Sequence, residues 1–374
     1  MSNLSVNTIT DASGGSTASI NGLTPQASNM AATFNRVING AMTIDQRNAG
    51  ASVTPSVNGQ YTLDRWRGYH SQVSKYSVQQ NAGSVTPPVG FTNYLGVTSL
   101  SAYSVGASEI FGIQQFIEGF NVADLGWGTA NAQAVTLSFK VYSSLTGTFG
   151  GVLQNDGQNR SYPFTYAISS ANTWTTISIT VAGDTSGTWL ANNLRGITVW
   201  FNLGTGSSLS GTAGAWAGAG YFSATGATSV VGTSGATFYI TGVQLEAGST
   251  ASSFAHENVG DTLRKCERYY WKIQGDAASN AYVAVGSGLV WSTTEARIYT
   301  KFPATMRAAP TFSLGSPLRL AANGTFDTTS IATTWAGNKS AMIQFNASGL
   351  STGNGLILHT LNTSTSYLQA DAEL

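Results

Sequence analysis

Val135-Thr-Leu-Ser-Phe-Lys-Val-Tyr142 alternates without a break. Val135, Leu137, Phe139 and Val141 fall on one face and Thr136, Ser138, Lys140 and Tyr142 on the other, which is the period-two signature of a half-buried strand. Trp174-Thr-Thr-Ile-Ser-Ile-Thr-Val181 repeats the pattern with Ile177, Ile179 and Val181 inward. Ile197-Thr-Val-Trp-Phe-Asn-Leu203 repeats it again, with Ile197, Val199, Phe201 and Leu203 inward and Trp200 outward. Such strands, separated by Gly, Asn and Ser turns, predict an antiparallel β-sandwich. Further along, Phe238 and Ile240 share a face whereas Val243 and Leu245 have the opposite parity. A one-residue slip at Gly242 reconciles them, and glycine suits such a bulge.

Outward from these strands the chain changes character. Residues 204–235 are rich in Gly, Ser, Ala and Thr and read as long surface loops around Trp216 and Tyr221-Phe222, with little to offer a core. Residues 261–271 read as one short helix, with Leu263, Cys266 and Tyr270 at i, i+3 and i+7, charged residues opposite, and Asp261 as its cap. After Gln274 the composition returns to β, with strand candidates at 282–291, 296–302, 342–346 and 356–361. Before Phe34 the apolar residues are isolated, so that segment should be ordered only against something else. The expected organisation is all-β: an N-terminal arm (1–33), a jelly-roll-like sandwich (34–255), a linking helix (256–272) and a smaller C-terminal β-domain (273–374).

The 374 residues carry 17 Lys+Arg against 17 Asp+Glu, only 9% charged in all, with 43 glycines. An average soluble domain is about a quarter charged. The surface must therefore be built from Ser, Thr, Asn, Gln, Gly and Tyr, which suits a protein exposed outside cells and packed into an oligomer. Without clustered Lys and Arg, nucleic acid is not an expected partner. The apolar runs are interrupted too often for membrane insertion. Met1-Ser-Asn-Leu-Ser5 lacks the cationic start and apolar core of a signal peptide, so release by another route such as lysis is expected. The lone Cys266 leaves no intrachain disulfide and no multi-cysteine zinc pattern, and reads as a small apolar knob on the helix.

Chemistry is sparse. His70, His256 and His359 have no neighbour at a metal-ligand spacing, so neither a metal nor a cofactor is expected. Glycan cleavage would need two carboxylates across a cleft. Asp45 and Asp64 stand beside Arg47 and Arg65 and read as buried ion pairs that hold the first strands, while Glu109 and Glu118 flank an apolar segment with no sign of proximity. Neither a Gly-x-Ser-x-Gly elbow nor a phosphate loop is present, and the chain is read as a non-enzyme. Aromatic side chains remain, because flat rings stack on sugars while Ser, Asn and Gln bond hydroxyls. Of Trp127, Trp174, Trp189, Trp200, Trp216, Tyr162 and Tyr166, Trp200 stands out for being out of phase with its strand's inward set; packing under a covering loop or a neighbouring subunit is the alternative for it.

Several motifs, in order, resemble bacteriophage tail-fibre and receptor-binding proteins. They are Asn35-Arg-Val-Ile-Asn-Gly-Ala-Met-Thr-Ile-Asp-Gln-Arg47, Tyr61-Thr-Leu-Asp-Arg-Trp66, Ser161-Tyr-Pro-Phe-Thr-Tyr166, Asp184-Thr-Ser-Gly-Thr-Trp189 and Ser223-Ala-Thr-Gly-Ala-Thr228. The junction Gly242-Val-Gln-Leu-Glu-Ala-Gly248, Ser252-Ser-Phe-Ala-His-Glu257 and Leu263-Arg-Lys-Cys-Glu-Arg-Tyr-Tyr270 completes the set. The resemblance spans residues 34–271, and no single motif carries it.

It implies a virion structural protein, a tail fibre that adheres to host surface polysaccharide through a sandwich similar to carbohydrate-binding modules. It further implies a homotrimer, with Leu263, Cys266 and Tyr270 near the threefold axis and residues 1–33 bound to other virion proteins. His256-Glu257 would pack between sandwich and helix. The rivals are a capsid-decoration or tail-assembly protein without a receptor, and a polysaccharide depolymerase. Beyond Tyr269 the resemblance fades, which leaves the C-terminal part free to suit a host. Glycan contact is expected at Trp200, Trp216, Trp335 and Tyr367. Tyr299 is a further aromatic to test, Trp291 is expected in the core behind Leu289-Val290, and Trp335 sits in a loop-like setting.

Overall fold

The computed structural model describes residues 35–275 and 282–374, so the expected arm at 1–33 lies outside the described residues. The first half runs β1 (Tyr61–Leu63), β2 (Trp66–His70), β3 (Tyr76–Gln80), β4 (Leu95–Ser99), β5 (Ile110–Glu118), β6 (Val135–Ser143), β7 (Gly147–Gln154), β8 (Ser161–Ile168), β9 (Thr175–Val181), β10 (Arg195–Thr205), β11 (Ser210–Gly211), β12 (Ser223–Ala224) and β13 (Thr237–Ala247). Helix α1 (Val259–Glu267) follows. Then come β14 (Tyr270–Gln274), β15 (Ala284–Ser292), β16 (Glu295–Lys301), β17 (Thr311–Leu314), β18 (Arg319–Ala322), β19 (Gly324–Asp327), β20 (Ser330–Ala336), β21 (Ser340–Asn346), β22 (Gly355–His359) and β23 (Tyr367–Asp371).

The fold is all-β, with a jelly-roll-like sandwich. Its two antiparallel sheets have the orders β1-β2-β5-β10-β7-β8 and β3-β4-β13-β6-β9. The inward residues of β6 and β10 meet across the sandwich as the alternation predicts, with the Phe139 and Phe201 rings 5.0 Å apart edge to face. Val135, Leu137, Val141, Val199 and Leu203 are fully buried around them. The parity change in β13 is a register shift against β6 between Thr241 and Gln244. Gly242 holds φ 60 there, and a Cβ on it would sit 2.7 Å from the Phe91 ring. The loops of 204–235 give more core than expected, because Val230 and Val231 are fully buried between the sheets.

The helix starts at Val259 after Asn258 and ends at Glu267, earlier at both ends than its apolar spacing predicts, and Asp261 lies in its first turn instead of capping it. Tyr270 and Trp271 belong to β14, paired with Asp371 and Ala370 of β23. The run Tyr269-Tyr-Trp-Lys-Ile is rich in aromatic and branched residues, and that strand preference overrides the helical spacing.

The C-terminal part forms a three-stranded sheet, β14-β23-β17, and a seven-stranded sheet, β19-β18-β22-β15-β16-β21-β20. Val290, Ile298, Ile343, Phe345, Leu358 and Leu368 are the centre of its separate core. All four expected strands are present, at β15, β16, β21 and β22. Trp335 belongs to the edge strand β20, not to a loop, and Trp291 is 52% exposed, not in the core.

The two parts are joined by charge. Arg47 reaches Asp371 at 3.3 Å and Glu373 at 3.0 Å, and Arg65 also pairs with Glu373. Arg47 lies over the Tyr270 ring at 3.7 Å and Arg65 over Tyr269 at 3.5 Å. Glu118 accepts from Arg268 at 2.5 Å and from the Tyr269 hydroxyl at 2.5 Å. The expected local pairs are therefore replaced. Asp45 binds the backbone N–H groups of Asn48 and Gly50, and Asp64 binds Gln46, while the arginines beside them hold the far end of the chain.

A candidate ligand cleft on the six-stranded sheet

Strand alternation that points Phe111, Ile113, Val199 and Phe201 into the core points Gln114, Phe116 and Trp200 to the opposite face of the six-stranded sheet. Trp200 pairs with Gln114, Gln114 with Arg67, and Trp200 with Val152 on its other side. One row across the sheet thus presents a cation, an amide, an indole and an aliphatic group.

This outer face is the floor of a cleft of about 490 Å³. Arg67 and Tyr69 come from β2, Gln114 and Phe116 from β5, and Arg195 and Trp200 from β10. Asp156 and Gln158 follow β7, Phe222 stands on the loop before β12, and Arg307 and Leu374 enter from the C-terminal part.

Trp200 is 1% exposed, held between Tyr69 at 5.8 Å and Phe222 at 5.2 Å. Its Nε1 has no hydrogen-bond partner among the described residues. A buried donor left unpaired costs on the order of 1–3 kcal/mol, and this one lies against the sheet, where a Cβ on Gly112 would come within 2.6 Å of it. The guanidinium groups of Arg67 and Arg195 both lie over the Phe116 ring, 4.5 and 4.6 Å from its centre. Arg195 is tied to Asp156 at 2.8 Å. Arg307 donates to the backbone carbonyls of Ala372 at 2.8 Å, Asn193 at 3.0 Å and Glu373 at 2.8 Å.

No family model matches the sequence, and no curated protein matches it. Solved structures do. The chain is similar to the enzymatically active domain of bacteriophage CBA120 tailspike protein 4, at 13% identity and TM-score 0.32, over 57% of this chain and 21% of that one. It is similar to a putative sugar binding protein from Bacteroides thetaiotaomicron at 10% identity and TM-score 0.35, over 57% of this chain and 100% of that one. A family 11 carbohydrate-binding module of a Clostridium thermocellum cellulosomal cellulase gives 12% identity and TM-score 0.26, over 55% and 99%.

Of the aromatics singled out from the sequence, Trp200 is the one in the cleft. Its outward parity is as read, and Phe222 is the loop residue that covers it. Trp216 lies elsewhere, its ring 5.3 Å from Trp127, 5.4 Å from Trp189 and 5.3 Å from Tyr162, with Nε1 spent on the Ala182 carbonyl. Tyr162 and Tyr166 are core residues, and Trp174 packs on Tyr94 and Tyr142 outside the other sheet. Tyr367 is half-buried under Lys272.

Trp335 and Trp291 flank Arg297, whose guanidinium carbon is 3.6 Å from the Trp291 ring and 5.5 Å from that of Trp335. Cys266 and Tyr270, expected between subunits, are buried within the chain itself, which leaves only half-buried Leu263 of that stripe near the surface. His256 packs against Phe91 at 5.1 Å and Phe254 at 4.9 Å, neither of them in α1.

Sequence reading missed Arg67, Tyr69, Gln114 and Phe116. Period-two parity in Trp66-Arg-Gly-Tyr69 carried a signal for the first two. In Ile110-Phe-Gly-Ile-Gln-Gln-Phe-Ile117 both parities carry apolar residues and one glutamine, so parity was hidden, and Arg307 arrives from a distant turn that no local pattern places.

Proposed function

We propose that the chain is a phage virion protein that adheres to host surface glycans, and that the outer face of the six-stranded sheet is where it holds them. The concave cleft of about 490 Å³ on the outer sheet face, which gathers Tyr69, Phe116 and Phe222 beside Arg67, Gln114 and Gln158, carries this reading. Aromatic faces and a few fixed polar groups in a concave site suit sugar rings. The tail-fibre motifs supply the virion setting, and a homotrimer would multiply weak contacts into firm attachment.

Adhesion is favoured over cleavage because Asp156 is the one carboxylate side chain among the described lining residues, and it is already paired with Arg195. Hydrolysis of a glycosidic bond uses two. Titration with soluble bacterial oligosaccharides, alongside Tyr69→Ala and Phe222→Ala, tests the reading. Binding should fall in both variants at unchanged melting temperature, with no product accumulating. Loss of neither, or steady product formation, would refute it. Light scattering tests the trimer, and a monomer at micromolar concentration would remove it.

A further inference from the structure

We infer that Gln114 is the specificity residue of the cleft and reads two adjacent hydroxyls of a sugar ring, so that the ligand is an uncharged glycan. This rests on the reading of the cleft as a glycan site and adds the class of glycan. Gln114 is 3% exposed and lines the cleft, and its side-chain amide makes no hydrogen bond with any described residue. Buried amides are as a rule paired. Gln115, next in the chain and 1% exposed, is the ordinary case, accepting from the Ile38 N–H at 2.8 Å and donating to the Ile38 carbonyl at 2.9 Å. The Gln114 amide is left for whatever enters the hollow between Arg67 and Trp200, its partners in the sheet row.

The charges around it already have partners within the chain. Arg195 is paired with Asp156, each nitrogen of the Arg307 guanidinium donates to a backbone carbonyl, and Arg67 donates to the Leu374 oxygen at 3.4 Å. The polar groups left open to a ligand are neutral: the amides of Gln114 and Gln158 and the hydroxyl of Tyr69, none of them bonded to a described residue. A carboxylate would find no open cation among them. One carboxamide presents an acceptor and a donor side by side. Two hydroxyls on adjacent carbons match it, one donating to Oε1 and the other accepting from Nε2. An N-acetyl group does not, because its trans amide sends N–H and C=O to opposite edges. The Tyr69 and Phe222 rings, packed on Trp200, remain for the C–H faces of the same sugar.

The test is calorimetric titration of the full chain with two neutral series and with oligogalacturonate. Cello-, malto- and manno-oligosaccharides keep two adjacent hydroxyls on their inner rings, whereas in chito-oligosaccharides an acetamido group replaces one of the pair. At least one of the first series should bind, and chito-oligosaccharides of the same length should bind roughly ten-fold more weakly or worse, the scale of one lost hydrogen bond. Gln114→Met keeps the length of the side chain and removes the amide. It should weaken the bound sugar by a similar factor while the melting temperature stays level or rises, since a buried, unpaired amide gives the fold nothing to lose. A lowered melting temperature would make the amide part of the fold and overturn the inference. Equal binding of both neutral series, tighter binding of oligogalacturonate than of either, or Gln114→Met without effect on binding would overturn it too, and would leave glycan binding standing. Binding of none of these sugars would overturn both.

Discussion

A Cβ on Gly112 would lie 2.3 Å from Cε2 of Trp200, so the indole rests on the sheet only because its diagonal neighbour across β5 and β10 has no side chain. The cleft floor is therefore set by a glycine as much as by a tryptophan. Gly112→Ala should push the indole toward Phe222, destabilise the fold by about 1–3 kcal/mol as overpacking does, and weaken sugar binding roughly ten-fold. Melting curves and glycan titration on the same variant check both parts. Unchanged binding would mean that the indole does not position the ligand.

Glu373 joins Arg47 and Arg65 and is 5% exposed, as is fitting for the acceptor of two nearly buried guanidinium groups. Removing one member of a buried pair costs about 3–5 kcal/mol because it strands the other charge. Glu373→Ala should therefore lower the melting temperature sharply and speed proteolysis at the junction between the sandwich and the C-terminal sheets. A loss below about 1 kcal/mol, the value of an exposed pair, would show that the arginines find other partners.

Burial alone would raise the Glu118 carboxyl, but Arg268, the Tyr269 hydroxyl and Arg65 hold it below the usual glutamate range. A depressed carboxyl contributes stability that is complete above its unfolded pKa and is lost as the pH falls through the folded one. Wild type and Glu118→Gln should differ most in melting temperature above about pH 5, and the gap should close as the pH drops below about 4.3. Asp45 and Asp64 work against this in the wild type, since burial raises both and their protonation on acidification relieves a cost. Comparing the two proteins at each pH cancels that background. A gap independent of pH would deny Glu118 its charge.

Legibility followed periodicity. The inward faces of β6, β9 and β10 and the bulge at Gly242 could be read because strand geometry forces parity onto the sequence. The helix end could not, because Leu263, Cys266 and Tyr270 satisfy a helical spacing while the residues after Arg268 prefer a strand, and pairing with β23 decides the contest. The cleft was half legible. Trp200 betrayed itself by parity, whereas Arg307 depends on how two distant parts dock, and docking leaves no period.

Cys266 is fully buried, and its thiol is pushed well above the ordinary range by burial and then by Asp64. The thiolate is the reactive form. In the native protein Cys266 should resist a maleimide at pH 7.5 over hours and label fully once denatured. Rapid native labelling would place α1 in exchange with an open state.

The seven-stranded sheet presents a row of Ile357, Ser287, Tyr299, Met342 and Trp335 along paired positions, with Tyr299 62% and Trp335 47% exposed. Arg297, between Trp291 and Trp335, keeps both rings ordered through cation–π contact, worth about 0.5–1 kcal/mol at an exposed site. A flat aromatic face open to solvent suits contact with a receptor. Because β20 is an edge strand and Trp335 is half in solvent, Trp335→Ala removes little from the core. Its melting temperature should stay within a few degrees of wild type, as surface changes do, while adsorption of the labelled protein to host cells weakens. A large thermal loss would make the residue structural, and unchanged adsorption would leave attachment to the cleft alone.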